Sequence, residues 1–244
     1  MRITGAIDWR EATASALSWW QEAGVDVLVD DAPRDWTARD VAPPAKGTPV
    51  QEAPAVEREV ALPATLEAFI DWRFGGEAPE AIWGEPVVHA SGNPASPLMV
   101  VTDMPEAGDC DAAALLTGDA GRLFDRMLAA IGHDRESVYL VSLCIARPVT
   151  GQVPREIEDR LAELARHHVA LTAPKSLLLL GQSVSRAILT GAESAGRGRL
   201  HPVNHQGGQS LAVSTFHPRF LLTKPAAKAE AWKDLQLLIG GQNP

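Results

Sequence analysis

The sequence predicts an α/β fold: a four-stranded parallel sheet between helices, in three layers, preceded by a helical N-terminal extension. Three observations predict it. Short apolar runs recur at Leu98 to Thr102, Val138 to Ile145, Ser176 to Leu180 and Leu211 to Thr215, a length that suits strands buried on both faces. Helical spacing of apolar residues fills the intervals, so the strands are joined by crossover helices. Right-handed crossovers then bring all four strand ends to one sheet edge, where ligands bind in open α/β sheets.

The elements follow in chain order. Asp8 to Ala23 places Ala12, Ala16, Leu17, Trp19, Trp20 and Ala23 on one helical face, closed by Gly24. Val25 to Val29 suits a helical extension or a turn. Residues 41–55 carry Pro43, Pro44, Pro49 and Pro54 with few apolar side chains, and read as a linker or loop. Leu62 to Phe74 is helical again, through Leu66, Phe69 and Ile70. Residues 1–90 thus form the extension and residues 91–244 the α/β domain. Within the domain, Asp119 to Ile131 is amphipathic through Leu123, Phe124, Met127, Leu128 and Ile131, and Gly132 ends it. Arg155 to Leu171, Ser183 to Leu189 and Ala226 to Ile239 complete the helices.

Composition narrows the classes. The chain has 244 residues, 45% hydrophobic and 22% charged, enough for a sizeable core. Met1 to Trp20 lacks the apolar core of a signal peptide, and the longest aliphatic run, Leu177 to Leu180, is far too short for a membrane span. A cytoplasmic location is expected. The two cysteines, Cys110 and Cys144, make neither a disulfide framework nor a metal set. Net charge is −9, which argues against a general nucleic-acid binder. Yet Arg197, Arg199, Arg219, Lys224, Lys228 and Lys233 share the stretch from 197 to 233 with a single acid, Glu230. That stretch suits a phosphate backbone or a solvated face.

Several motifs fail. Gly181-Gln182-Ser183-Val184-Ser185 begins like a nucleophile elbow, but the elbow needs Gly where Ser185 stands. No phosphate-binding or dinucleotide fingerprint occurs. His167-His168 on a helix, and His201 with His205 in a Gly-rich loop, lack accompanying carboxylates or thiolates, so no metal is expected. What remains is Asp103 after the first strand and His217 after the fourth. His217 precedes Pro218, which disfavours helix at the histidine and suggests a rigid loop. A carboxylate and an imidazole facing one cleft can position water and stabilise a developing anion. The same two residues also suit a loop cap and a turn.

With Trp19 to Gly24, Thr102 to Glu106, Gly118 to Gly121 and Thr215 to Leu222 in that order, the chain resembles the uracil-DNA glycosylase superfamily, above all the bacterial and archaeal family whose members usually carry an iron–sulfur cluster. Trp19-Trp20-Gln21-Glu22-Ala23-Gly24 is similar to that family's leading helix. Thr102-Asp103-Met104-Pro105-Glu106 stands where the family has Gly-Glu-Ala-Pro-Gly. Gly118-Asp119-Ala120-Gly121 resembles its Gly-Arg-Ala-Gly, and Thr215-Phe216-His217-Pro218-Arg219-Phe220-Leu221-Leu222 its Thr-Tyr-His-Pro-Ser-Tyr-Leu-Leu. The resemblance covers most of the chain.

The resemblance implies a pocket for a flipped uracil, or another deaminated base, in DNA. His217 would stabilise the leaving base as an anion, and Asp103 would orient water or support the positive sugar. Pro105, Leu116 and Ser142 fall at base-binding positions. Pro218, Arg219 and Leu221 would press into the minor groove, with Arg197, Arg199 and Lys224 on the backbone. The departures are as informative. Ala146 and Arg160 occupy two of the four cluster-cysteine positions, and the other two fall in Phe69 to Trp83, which has no cysteine. No cofactor and no metal is therefore expected. Glu106 replaces a Gly, Ser142 an Asn, Leu116 a Phe and Arg219 a Ser. Three readings stay open: a cluster-free glycosylase, a degenerate relative that binds DNA or a protein partner, and a hydrolase of another N-glycosidic substrate.

Overall fold

The computed structural model describes residues 62–83, 88–189 and 196–242, together with Thr13, Ser15, Ser18 and Trp19. Those four positions are helical; the rest of the expected helix at Asp8 to Ala23, the segment Val25 to Val29 and the linker at 41–55 lie outside the described residues. The chain divides into two units, Met1–Arg58 and Glu59–Pro244. The expected boundary at residue 90 falls inside the second.

That unit opens with α1 (Leu66–Trp72), capped by the Thr65 hydroxyl, which accepts from Ala68 N at 3.3 Å. A π turn at Arg73–Glu77 and a 3-10 turn at Pro79–Trp83 follow. Four strands form the parallel centre of the sheet: β2 (Leu98–Thr102), β3 (Tyr139–Ser142), β4 (Ser176–Leu180) and β6 (Gly208–Thr215). Two further strands complete it: β1 (Ser91–Gly92), antiparallel to β3, and β5 (Leu200–His205), antiparallel to β6. The order is β1-β3-β2-β4-β6-β5, so among the described residues the sheet has six strands, not four. The expected loop around His201 and His205 is an edge hairpin instead. Its residues alternate in burial rather than running apolar, a pattern that suits a half-covered edge.

The helices are α2 (Asp109–Ala112), α3 (Gly118–Ala130), α4 (Arg155–Thr172), α5 (Gln182–Ile188), α6 (Pro218–Thr223) and α7 (Lys228–Gln242). They cover both sheet faces. One core joins Met99, Val101, Val141, Leu177 and Leu179 to Leu161, Ala165 and Val169 of α4. The other joins Leu98, Val100, Leu140 and Val213 to Phe124 and Leu128 of α3 and Leu235 and Leu238 of α7. Alternate residues of each central strand enter opposite cores, which is why these strands are apolar throughout. Among the described residues no helix is long and apolar enough to cross a membrane.

α1 is built into this domain. Phe69 is fully buried, and its ring meets His167 and His168 of α4 edge-on at 5.1 and 5.4 Å. His168 Nε2 pairs with the Tyr139 hydroxyl at 3.1 Å, tying α4 to β3. Burial, then the Arg73 charge, lowers the His168 pKa to about 3, so the ring is neutral. Phe69→Ala should cost about 3–5 kcal/mol, the usual effect of emptying a buried aromatic site. Urea unfolding of the full chain checks this; a change of about 0.5 kcal/mol or less would detach α1 from the core.

Candidate active site

The carboxyl ends of β2 and β6 carry the two residues that sequence reasoning singled out, and the sheet brings them together. β4 lies between these strands and ends at Leu180, so its turn is short enough to leave the two ends in reach. Gly181 makes that turn with φ +98 and donates its N–H to Thr215 O at 2.9 Å. A Cβ on Gly181 would lie 3.5 Å from His217 Cβ; the positive φ rather than crowding favours glycine.

His217 does not begin a loop. It caps α6: its Nδ1 accepts from Arg219 N at 3.1 Å, and Pro218 takes the first helical position. Proline there presets φ and loses no needed donor, so the His-Pro pair starts a helix instead of preventing one. The network assigns the ring its tautomer. Nδ1 is an acceptor, so Nε2 carries the hydrogen and faces Thr102 Oγ1 at 2.9 Å. Asp103 Oδ1 lies 3.5 Å from the same nitrogen and Glu106 Oε1 3.9 Å. The ring is 5% exposed. Burial is the main cause that lowers its pKa to about 4; the Asp103 charge opposes this and Arg219 adds to it. The imidazole is therefore a neutral N–H donor near pH 7.

Asp103 is anchored through its own turn. Oδ1 accepts from Met104 N at 2.8 Å and the Asp103 carbonyl accepts from Cys144 N at 3.0 Å. Oδ2 accepts from Arg219 Nη2. Arg219 Nη1 also donates to Glu106 Oε1 at 2.9 Å. Two of the departures from the resembled motif, Glu106 for Gly and Arg219 for Ser, thus form one ion pair beside Asp103. Arg219, expected at the minor groove, here bridges two carboxylates through charge-assisted hydrogen bonds. Sequence spacing gave no sign of it, because 113 residues separate the pair.

The other expected residues divide. Pro105 is buried, and Arg147 Nη1 holds its carbonyl at 2.8 Å. Ser142 is buried at the end of β3; its hydroxyl donates to Cys144 O, and it lines a small cavity with Phe74 and His89, away from the cleft beside His217. Leu116 is fully buried in the core with φ +54, a left-handed conformation that costs a leucine about 1–2 kcal/mol. Its placement has a visible cause. Asp109 Oδ2 accepts from Leu116 N, Arg135 donates to Leu116 O, and Gly121 leaves room for that carbonyl, which a Cβ would meet at 1.9 Å. Leu221 is buried among α3 and α7, so it is not an exposed wedge; Leu222 is the exposed leucine of α6. Pro218 is buried as well.

The basic stretch is partly neutralised. Arg197 Nη1 approaches Asp234 Oδ2 at 3.4 Å, and Lys233 pairs with Glu230 at 3.0 Å. Arg197 also stacks on Phe216 at 3.5 Å, and Lys224 lies over Phe220 at 5.7 Å. Arg199 and Lys224 are exposed. A cleft of about 510 Å³ runs from Gly181 and Ser183 past His217 and Asp103 to Arg197 and Phe220.

Asp109 is the residue that sequence reasoning missed. It is fully buried, and its carboxylate accepts from Glu106 N, Leu116 N, Thr117 N and the Thr117 hydroxyl at 2.6 to 2.8 Å. It fixes the whole turn from Glu106 to Thr117. Its only signal was an acid placed just beyond the Pro105-Glu106 pair.

Residues 89–236 match the family model of the uracil DNA glycosylase superfamily. The chain belongs to this superfamily. It is similar to the type-4 uracil-DNA glycosylase of Pyrobaculum aerophilum, 28% identical over 59% of this chain and 77% of that protein. The type-4 uracil-DNA glycosylases of Archaeoglobus fulgidus and Thermotoga maritima are 26% and 25% identical, over 59% and 56% of this chain and 76% and 71% of theirs. The sheet, the Asp103 turn and the His217 cap all lie within or at the edges of the superfamily match. An iron–sulfur cluster does not fit this member. It needs thiolate donors, and Ala146, Arg160 and the segment 69–83 supply none. Cys144 is buried, which pushes its thiol pKa far up and keeps it protonated.

Arg219→Ala should raise the His217 pKa above about 4, because it removes a positive charge and frees Asp103 to favour the imidazolium. Histidine NMR titration reads this directly. With a folded pKa near 4 and an unfolded value near 6.5, only the unfolded chain gains a proton as pH falls through that window. Stability should decline from pH 6.5 to 4, and less steeply in Arg219→Ala. An unchanged His217 pKa would remove Arg219 from the electrostatics of the site.

Proposed function

We propose that the chain is a DNA-repair glycosylase that hydrolyses the N-glycosidic bond of uracil, or another deaminated base, without an iron–sulfur cluster. One observation carries the reading: a buried, neutral imidazole holds its Nε2–H toward the Asp103 carboxylate side of the cleft. The base must first leave the stack, since its glycosidic bond is shielded within a duplex. As the C1′–N1 bond breaks, its electron pair goes to the base. His217 Nε2–H then shifts from Thr102 to the base oxygen that gains negative charge. A neutral donor suits this role, because it stabilises the anion without a proton having to be taken up first. Asp103 faces the positive sugar and orients the water whose oxygen bonds to C1′; the water's proton is released by way of the carboxylate.

Pro105 follows the Asp103 turn on the base side of the proposed pocket, whereas Leu116 sits in the core and Ser142 faces a separate cavity, so neither meets the base in this arrangement. Arg197, Arg199 and Lys224 contact phosphates, and Arg219 joins them once DNA displaces it from Asp103 and Glu106. In this reading DNA carrying a deaminated base is the partner and the protein acts in the cytoplasm.

One observation favours a second reading, a degenerate superfamily member that binds DNA or a protein without catalysis. Arg219 occupies one oxygen of Asp103, which then has no free lone pair on that side to orient a water. A labelled oligonucleotide with one deoxyuridine, treated with alkali after incubation, separates the two. The glycosylase should cleave it, and His217→Ala and Asp103→Asn should each slow cleavage by about a hundredfold to ten-thousandfold. The rate should hold from pH 7 down toward pH 4, where His217 protonates. No strand scission on single- or double-stranded uracil or hypoxanthine substrates would favour the binding protein.

A further inference from the structure

The segment 69–83, which lacks cluster cysteines, holds a buried ion pair. Arg73 and Glu80 are 4% and 0% exposed, with Arg73 Nη2 at 2.8 Å from Glu80 Oε1. Arg73 Nε donates to the same oxygen at 3.1 Å. Both side chains also reach the loop after β3. Arg73 Nη2 donates to Leu143 O at 2.5 Å, and Glu80 Oε1 accepts from Ile145 N at 3.4 Å. Val88 N adds a backbone bond to Ile145 O at 2.8 Å.

Stability alone gives little reason for such a pair. Burying two charges is costly, and apolar side chains of similar volume often serve as well or better. What apolar side chains lack is a donor for Leu143 O and an acceptor for Ile145 N. The loop so held is adjacent to the site. It begins directly after Ser142, and its Leu143 N and Cys144 N donate to Thr102 O and Asp103 O at 2.8 and 3.0 Å. A single layer of backbone hydrogen bonds separates the ion pair from the turn that carries Asp103.

We infer that Arg73 and Glu80 are positioning residues: their ion pair fastens the 143–145 backbone to the 69–83 segment in place of a metal cluster, and thereby fixes Ser142 and the Asp103 turn. The kinetic consequence rests on the proposed glycosylase reading; the structural consequence does not.

Two variants of the full chain test it. Arg73→Met with Glu80→Leu fills the space without polar groups. Glu80→Gln keeps an acceptor for Ile145 N at Oε1 but removes the negative charge that holds the Arg73 guanidinium against Leu143 O. Thermal melting, amide hydrogen exchange by mass spectrometry, and kcat/KM on the deoxyuridine oligonucleotide are the readouts. The double variant should melt near wild type, yet exchange at 143–146 should quicken by about tenfold or more while the rest of the sheet keeps its protection. Its kcat/KM should fall about tenfold to a hundredfold, the scale expected when reacting groups are misplaced. Wild-type exchange at 143–146 in the folded double variant would overturn the inference. If that variant does not fold, Glu80→Gln decides: faster exchange confined to 143–146 supports the staple, and unchanged exchange there rejects it. A wild-type chain without uracil excision would count against the glycosylase reading and leave the exchange result to judge the staple.

Discussion

A buried imidazole that stays neutral is the constraint on which the site depends. His217 is removed from water, so its charged form is disfavoured, and its surroundings are arranged for the uncharged ring. Nδ1 is committed to capping α6, which leaves Nε2–H as the one donor. That arrangement needs the end of β6 close to the end of β2, where Thr102 and Asp103 stand. It also needs α6 to start at Pro218, since only a helix N-terminus presents Arg219 N to the ring. The parallel sheet, the Gly181 turn and the His-Pro cap are therefore coupled. Loss of any one would misdirect the donor.

Around this donor the carboxylates are restrained in different ways. Asp109 is wholly buried and accepts four hydrogen bonds, all from its own turn. It is scaffolding. Asp103 keeps one oxygen on Met104 N and gives the other to Arg219, a side chain that is 39% exposed. Glu106 shares that guanidinium. Exposed ion pairs are weak and compete with solvent and with phosphate, so the Asp103 partnership is the exchangeable one. The two replacements that looked separately unfavourable, an acid where backbone should approach DNA and an arginine in place of serine, compensate each other.

A loss elsewhere is met in a similar way. No thiolates remain at the cluster positions, yet the 69–83 segment packs on the domain through Phe69 and through the Arg73–Glu80 pair. Hydrophobic burial supplies much of the hold there, and the ion pair supplies direction. This also explains why residues 62–83, which sequence composition placed in an extension, share one unit with the sheet. An amphipathic helix such as α1 shows which face it buries but not what it is buried against.

How much was legible follows from which interactions are local. The central strands were readable because burial on both faces demands unbroken apolar runs, and Leu98 to Thr102 and Ser176 to Leu180 match to the residue. The helix end near Gly132 was readable from backbone preference. Asp103 and His217 were readable as candidates because each follows a strand. The edge strands β1 and β5 were not, because a strand of two residues, or one that alternates around Pro202, carries little apolar signal. The burial of Leu116 and Leu221, the Glu106–Arg219 pair and the Arg73–Leu143 bond were decided by tertiary structure alone. They join residues far apart in the chain, and sequence by itself determined only that such groups existed, not which of them would meet.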